Sequence, residues 1–365
     1  MRVRGGEGVA VLRSAPQDGP HAGLDGALPS VLQARGRTTG DHLDMHLPRR
    51  ALFALGAAPA LARAQSAWPE RPVRVIVPIP PGSTPDTAGR AVATHFTTAF
   101  GQPFVVENRP GAGGTIGTDA VAKATDGHTL GVSINAPLST AKALYPNLPY
   151  DPSRDLAPVS LLVRGAQMLV THPGLPVSDL AGFIAHVKAN PGKLSYGSVG
   201  SGSGAHLAMV DLMSRAGLDM VHVPYRGFPQ ATLDLVAGRI EAMFVISAGI
   251  LPQVQSGQAR VLAVTAENRI QQAPSVPTLA EAGVPDAASY AWIGLVAPAA
   301  MPPAQVARLA EEAKRGLGEP QTRAALERAG FEVVASGPGE FARFIAAESD
   351  RWGGLITRLG IKAEA

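Results

Sequence analysis

The sequence predicts an α/β fold in two lobes, each a mainly parallel sheet flanked by helices. From Arg71 onward, short apolar strands rich in β-branched residues alternate with helical stretches. This alternation is typical of a parallel sheet with crossover helices. After an extended stretch over residues 159–171 the alternation starts again, so we expect two sets of strands and therefore two lobes.

The first set of elements starts at residue 74. Asp86 precedes its first helix, so we expect this residue to be the N-cap that orders the preceding loop. A contact between Asp86 and an amino or hydroxyl group of a ligand is a second interpretation, and both roles can hold. In chain order the predicted elements are the strand Arg74–Pro78, the helix Thr87–Phe100, the strand Phe104–Glu107, the helix Thr115–Lys123 and the strand Thr129–Ser133.

The second set follows the extended stretch, and the chain then returns to the first lobe. The predicted elements of the second set are the helix Val177–Ala189, the strand Leu194–Ser198, the helix Ala205–Ala216, the strand Met220–Pro224, the helix Phe228–Ala237 and the strand Ile240–Val245. The return is predicted as the strands Arg260–Thr265 and Trp292–Pro298 and the amphipathic helices Gln305–Glu327 and Gly339–Arg358.

Two extended crossings between lobes are typical of a hinged protein that forms a cleft. We therefore predict that lobe one comprises residues 65–165 and 266–365, and that lobe two comprises residues 166–265.

The charge balance excludes several classes of partner. The chain has 32 Lys and Arg against 29 Asp and Glu, but residues 65–365 contain 24 of each kind. The excess of three lies within residues 45–64, so the basic balance does not support a nucleic-acid surface. The absence of cysteine excludes disulfides, thiolate nucleophiles and cysteine-based zinc sites.

Residues 45–64 are predicted to be a secretory signal peptide. They combine Arg49 and Arg50 with an apolar run over 51–61 and a small-residue cleavage site before Gln65. The run is shorter than the roughly 20 residues of a membrane-spanning helix. Both a twin-arginine and a general export route stay open. Met45 is the expected initiator, so we interpret residues 1–44 as an upstream mis-assignment or a disordered extension.

Three loops follow predicted strands and precede helices, where free backbone N–H groups bind anions. They are loop one (residues 78–86), loop two (residues 198–204) and loop three (residues 223–227). An anion between loops one and two would meet two helix dipoles; the alternative is that the loops are only tight turns. Arg226 has two interpretations, a bidentate carboxylate clamp or a solvated surface residue. His206 is expected to cap or pack rather than to act as a base.

No pattern points to a metal, a cofactor or a catalytic group. The six histidines after residue 65 show no i,i+3 or i,i+4 pairing, so no metal site is predicted. A Gly-x-Ser-x-Gly elbow is absent. Gly200, Gly202 and Ala205 fit the looser dinucleotide fingerprint, but Tyr225 and Arg226 stand where its acidic residue belongs. We predict a binding cleft with no cofactor and no catalytic residue. The alternative is an exported enzyme that uses Ser201 or His206.

Several segments together resemble the periplasmic substrate-binding receptors of tripartite tricarboxylate transporters, also called Bug proteins. They include VENRPGAGGTIG, YPNLPYDP, SYGSVGSGSGAHL and HVPYRG, and the resemblance extends over residues 68–362. It implies a type II-like Venus flytrap, a two-lobed periplasmic binding protein that closes on a small organic carboxylate. The implied partners are the ligand and either a membrane permease pair or a sensor protein, with no nucleic acid; a monomer is expected.

The resemblance also implies which residues bind the ligand. The carboxylate is expected between the two loops, with Asp86 ordering loop one and with Asn135 and Tyr225 lining the cleft. Ile79, Ser83 and Val245 differ from the residues usual in the family. With His206 and Arg226 added, the predicted ligand-binding residues are Gly82, Ser83, Thr84, Asp86, Asn135, Ser198, Gly200, Ser201, Gly202, His206, Tyr225 and Arg226.

Overall fold

One mixed sheet of ten strands runs through residues 68–363, the part of the chain that the computed structural model describes. The predicted signal peptide and the segment before it lie outside these residues. The strands are β1 (Val73–Val77), β2 (Phe104–Asn108), β3 (Thr129–Ile134), β4 (Leu156–Thr171), β5 (Ser195–Ser198), β6 (Val221–Pro224), β7 (Ala242–Ile246), β8 (Arg260–Val264), β9 (Tyr290–Pro298) and β10 (Glu332–Val333).

Helices flank the sheet on both faces. They are α1 (Thr84–Phe100), α2 (Thr115–Ala122), α3 (Ala141–Leu144), α4 (Pro152–Asp155), α5 (Leu180–Ala189), α6 (Gly204–Ala216), α7 (Phe228–Val236), α8 (Leu251–Gln255), α9 (Pro303–Gly318), α10 (Pro320–Arg328) and α11 (Pro338–Leu359). The α/β fold class is confirmed. Between residues 68 and 363, no helix has both the length and the apolar character that crossing a membrane requires.

The sheet consists of two parallel groups joined by antiparallel strands. Its order is β2-β1-β3-β9-β4-β7-β5-β6, with β8 and β10 also paired to β4. Strands β1, β2 and β3 are parallel to one another, and so are β5, β6 and β7. We call β2, β1, β3, β9 and β4 up to Ala166 the first half-sheet, and β4 from Gln167 with β7, β5, β6 and β8 the second.

The register brings the carboxyl ends of both parallel groups to the middle of β4. Ile134, the last residue of β3, pairs with Ile293, which pairs in turn with Val163 of β4. Ile246, the last residue of β7, pairs with Gln167 of β4. The ends of β3 and β7 therefore lie close together along β4, and the other parallel strands of each group end on the same side as β3 or β7.

Separate apolar clusters hold the helices on each half-sheet. Phe96 of α1 and Leu309 of α9 are fully buried against the first half-sheet, and Phe183 of α5 and Met209 of α6 against the second. Full burial of one such side chain stabilises the fold by about 1.5–3 kcal/mol. Trp352 of α11 shares a further cluster with Leu207 of α6, so α11 contacts elements of both halves.

Three predicted helix boundaries were wrong: α5, predicted from Val177, begins at Leu180 after its N-cap Asp179, and a proline explains each of the other two. Helix α1 begins at Thr84 with Ser83 as N-cap, so Asp86 lies inside the first turn rather than at the cap. Pro85 fits this turn because its missing N–H has no intrahelical acceptor there. The helix predicted over 305–327 ends at Gly318, and Pro320 starts α10.

Candidate functional site

Loop one is held by the Asp86 carboxylate. Asp86 is 3% exposed. Its Oδ2 accepts the Gly82 N–H at 2.9 Å and Arg90 Nε at 3.0 Å, and its Oδ1 accepts Asn108 Nδ2 at 2.9 Å. The side chain thus reaches back across the helix N-terminus and fixes the loop. Asp86 was predicted to order this loop as the N-cap; it orders the loop from inside the first turn instead.

The Asp86 carboxylate stays ionised. Burial alone would raise the pKa of Asp86, but hydrogen bonds from Arg90, Gly82 and Asn108 outweigh it and hold the pKa below 3.8. Arg90 also donates to Asn108 Oδ1 at 3.1 Å, so the three side chains form one network. The sequence prediction missed Arg90 and Asn108. The i,i+4 spacing of Asp86 and Arg90 was a usable signal, whereas Asn108 had no local one.

Loop one offers fewer amides than predicted. The Gly82 N–H is bound by Asp86, and the Ser83 N–H donates to Pro80 O at 3.4 Å. Pro85 has no N–H. Two N–H groups of the first turn remain available, those of Thr84 and Asp86, which donate to no atom of residues 68–363. The Ser83 hydroxyl is buried and has no partner in the same part of the chain.

Loop two is held by serine and histidine side chains. Ser198, the last residue of β5, contacts His222 Nε2 through its Oγ at 2.6 Å and accepts the Gly200 N–H at 3.1 Å. His206 Nδ1 accepts the Gly202 N–H at 3.2 Å. Ser203 is the N-cap of α6, and its Oγ accepts the His206 N–H at 3.3 Å. These contacts close the loop over the first turn of α6 without any carboxylate.

Two histidines that are far apart in the sequence stack beneath loop two. The rings of His206 and His222 lie 4.3 Å apart between centroids, and Tyr196 stacks on both. Burial and the neighbouring His222 lower the pKa of His206 to about 3, so its ring is neutral near pH 7. His206 therefore acts as the packing and capping residue that its sequence position predicted.

Loop two keeps three N–H groups available. The amides of Ser201, Gly204 and Ala205 donate to no atom within residues 68–363. Gly204 and Ala205 begin α6, where the first N–H groups have no intrahelical acceptor, and Ser201 precedes the N-cap. The loop also touches the first half of the molecule, since Thr140 Oγ1 donates to Gly202 O at 3.3 Å. Five N–H groups thus stay unbonded, four of them in the first turns of α1 and α6 and the fifth in loop two.

Gly202 must be glycine for two reasons. Its φ is +78°, a backbone conformation that residues other than glycine rarely adopt. An added Cβ would lie 2.4 Å from Leu144 Cδ1 and 2.7 Å from Thr140 Oγ1. The contact between loop two and the segment after β3 therefore depends on this glycine.

The remaining predicted residues follow β3 and β6. Asn135 is buried, and its amide is bound to the backbone of β9: Nδ2 donates to Tyr290 O at 3.3 Å and Oδ1 accepts the Trp292 N–H at 3.1 Å. The Tyr225 hydroxyl donates to Asp234 Oδ2 at 2.9 Å. Arg226 is exposed, and no carboxylate between residues 68 and 363 lies within ion-pair distance of it.

The electrostatics of the two loops suit an anion held by dipoles. Each helix N-terminus carries about half a positive charge, and the one acidic side chain of loop one, Asp86, is paired with Arg90. In the described chain no three His, Asp or Glu side chains cluster as metal ligands. The two loops are therefore polar, and their side chains carry little net charge.

This arrangement defines a periplasmic binding protein, the class to which its structural neighbours belong. A model of the tripartite tricarboxylate transporter family receptor matches residues 88–361. Protein BugT of Bordetella pertussis is 37% identical over 308 residues, which cover 84% of this chain and 94% of BugT. The chain belongs to the tripartite tricarboxylate transporter receptor family, as its sequence motifs predicted.

Solved structures agree with this assignment. The structure described as R. palustris Rpa4515 with adipate is 31% identical, with a TM-score of 0.76 over 81% of this chain and 99% of that chain. MatC from Rhodopseudomonas palustris, with bound malate, is 32% identical, with a TM-score of 0.73 over 79% of this chain and 99% of that chain. These family members and neighbours are solute-binding proteins.

Proposed function

We propose that this protein is a periplasmic receptor that captures a small organic carboxylate between loops one and two. The observation that carries the proposal is the set of unbonded N–H groups in loop two and in the first turns of α1 and α6, those of Thr84, Asp86, Ser201, Gly204 and Ala205. Hydrogen bonds from such amides to a charged acceptor contribute about 1.5–3 kcal/mol each. The adipate and malate in the two solved relatives support a carboxylate as the ligand.

We propose that the two half-sheets are the cores of two lobes that close on the ligand about the strand crossings. Thr265 supports this role because it links both crossings. Its Oγ1 accepts the Gln167 N–H at 2.9 Å and donates to Ser289 O at 2.6 Å. Strand crossings that are held together by hydrogen bonds, with a cleft on one side, fit the hinge of a two-lobed protein.

The receptor is proposed to act in the periplasm as a monomer and to hand its ligand to membrane permease subunits or to a sensor. Family membership supports a transporter as the partner. We propose binding without turnover. His206 supports this, because its Nδ1 is occupied by the Gly202 N–H and its pKa of about 3 makes it a poor base near pH 7.

The proposal is tested by calorimetry of residues 65–365 with mono-, di- and tricarboxylates. Ala205→Pro removes one unbonded N–H, and a proline already occupies the equivalent second position of α1. We expect at least one acid to bind the wild type and this variant to bind about tenfold or more weakly. Recovery of the ligand unchanged by mass spectrometry is expected in both cases.

Ala181→Pro is the matched control. It places the same change at the second position of α5, on an exposed residue outside the cleft, and should leave affinity unchanged. The proposal fails if no carboxylate binds the wild type, if Ala205→Pro binds as tightly as Ala181→Pro, or if the acid is chemically altered.

A further inference from the structure

Two side-chain amides lie where the strands cross, and they differ in their hydrogen bonds. Asn135 uses both ends of its amide on the backbone of β9, at Tyr290 and Trp292. Gln167 is 1% exposed, yet neither its Nε2 nor its Oε1 has a partner among residues 68–363. A buried amide without partners is unfavourable, so its position requires an explanation.

Gln167 lies beside the candidate site. A Cβ at Gly204 would be 3.5 Å from Gln167 Nε2, so the amide is next to the first turn of α6. Gln167 pairs with Ile246 at the end of β7. Ser247 follows directly, and its hydroxyl, also buried and unpartnered within the described chain, lies against Gly330 instead.

The backbone of Gln167 shows that the strand itself does not need this side chain. Its N–H donates to Thr265 Oγ1 and its carbonyl accepts the Thr265 N–H, each at 2.9 Å. The crossing is therefore complete without the amide. What remains is a buried donor and a buried acceptor, and the donor end, Nε2, lies next to the first turn of α6, where Gly204 and Ala205 keep unbonded N–H groups.

We propose that Gln167 is a specificity-determining residue, and that the ligand is an organic acid with a hydrogen-bond donor, a hydroxyl or an amide N–H, next to its carboxylate. The inference rests on the proposed function, since it places the carboxylate at the first turn of α6. The Gln167 NH₂ group donates to a ligand oxygen, and Oε1 accepts from the adjacent donor.

The acceptor end of the amide is what selects the ligand. A carboxylate ion only accepts hydrogen bonds, so an unsubstituted acid satisfies Nε2 and leaves Oε1 buried without a partner. A buried polar group that one ligand satisfies and its analogue does not is a strong source of discrimination.

The test compares matched acids that differ by one hydroxyl, malate with succinate and lactate with propionate, by calorimetry. In the wild type we expect the hydroxy acid of at least one pair to bind about tenfold more tightly. Gln167→Leu should reduce that ratio to about twofold or less. Because it removes only an unsatisfied amide, it should not lower the melting temperature of the ligand-free protein.

Thr171→Val is the matched control, because Thr171 is also on β4 and its hydroxyl is also buried without a partner in residues 68–363. It should keep the wild-type ratio. Gln167→Met replaces Gln167→Leu if circular dichroism shows that the leucine variant is unfolded.

Three results overturn the inference. The wild type binds carboxylates but shows no preference in either pair; the preference survives in Gln167→Leu or Gln167→Met; or a crystal structure of the complex shows the amide bound to an ordered water only. If the wild type binds no carboxylate at all, the proposed function itself fails.

Discussion

Loop one and loop two both end at the N-terminus of a helix, but they are held in opposite ways. Loop one is fixed by an ionised carboxylate, Asp86, which is paired with Arg90 and Asn108. Loop two is fixed by Ser198, Ser203 and the neutral ring of His206. Loop two also leaves three N–H groups unbonded, against two in loop one.

The difference indicates a division of labour around an anion. A net negative charge beside the bound carboxylate would oppose binding. In loop one, the positive charge of Arg90 offsets the negative charge of Asp86. Loop two has no charge to offset, so all of its available N–H groups can act on the ligand through the helix dipole. We therefore expect loop two to supply more of the affinity, and the two loops to respond differently to pH.

The largest expected effect is a loss of stability in acid, caused by the neutral His206 ring that holds loop two. The pKa of His206 is about 3 in the folded chain, against 6.5 ordinarily. As pH falls below 6.5 the unfolded chain binds a proton that the folded chain does not, so stability is lost. The loss is about 1.4 kcal/mol per pH unit, or about 5 kcal/mol by pH 3.

Urea unfolding at pH 7, 6, 5 and 4 measures this effect in the wild type and in His206→Asn, which keeps an acceptor for the Gly202 N–H. The variant should lose less stability over this range than the wild type. His186→Gln, which removes a histidine of α5 outside the loop, controls for the loss of a titratable group. Parallel curves for wild type and His206→Asn would contradict the neutral-ring account of loop two.

The second prediction breaks loop one. Asp86→Ala leaves the Gly82 N–H and the Asn108 amide without their acceptor and should lower the free energy of unfolding by about 3 kcal/mol at pH 7. Because the pKa of Asp86 is lowered from 3.8, its stabilisation is present above that pH and lost as pH falls below it. The gap between wild type and variant should therefore narrow in acid.

Chemical denaturation at pH 7 and below pH 3.8 checks both statements. Arg90→Gln is the paired control: it removes the exposed partner and keeps the carboxylate with two of its three donors, so its loss should be much smaller. Equal losses in the two variants would mean that the ion pair, rather than the buried carboxylate, holds loop one.

The sequence was sufficient to predict the fold, because strand and helix patterns are local. It also placed loops one and two, since each follows an apolar strand and precedes a helix. It did not predict which amides stay available. The Gly82 N–H donates to the Asp86 carboxylate. Asp86 is in a position to accept it because the helix starts at Thr84 rather than at Thr87.

Long-range pairs were beyond local reasoning. His206 and His222 show no helical spacing, yet β5 and β6 are neighbours and bring the rings into contact. Asn135 was placed in the cleft by family resemblance, but its amide is bound to β9. Gln167 gave no signal, because its burial depends on how β4 passes between the two half-sheets.

The third prediction tests the contact between loop two and the first half. Gly202→Ala should destabilise the protein by about 2–4 kcal/mol, because its Cβ would meet Leu144 and Thr140 in addition to the strained φ. Gly200→Ala is the matched control. Gly200 also has a positive φ, of +106°, but its Cβ would have no neighbour within 4 Å, so only the backbone cost of about 1–3 kcal/mol applies. Thermal unfolding of both variants measures the difference, and equal shifts would show that the contact contributes no stability.

The smallest expected effect concerns the charge beside loop two. Arg90 is committed to Asp86, whereas exposed Arg226 has no carboxylate partner in the described chain and follows β6 at the carboxyl edge of the second half-sheet. Arg226→Gln should lower the association rate constant of an anionic ligand about two- to threefold at low salt. The effect should fade at about 0.5 M salt, where the Debye length drops to roughly 4 Å.

Lys193→Gln is the control. It removes an exposed charge before β5, at the opposite end of that strand, and should leave the association rate constant unchanged. Stopped-flow binding at the two salt concentrations decides between steering and direct contact, because a bidentate clamp would instead show a loss that persists at high salt and appears mainly in the dissociation rate constant.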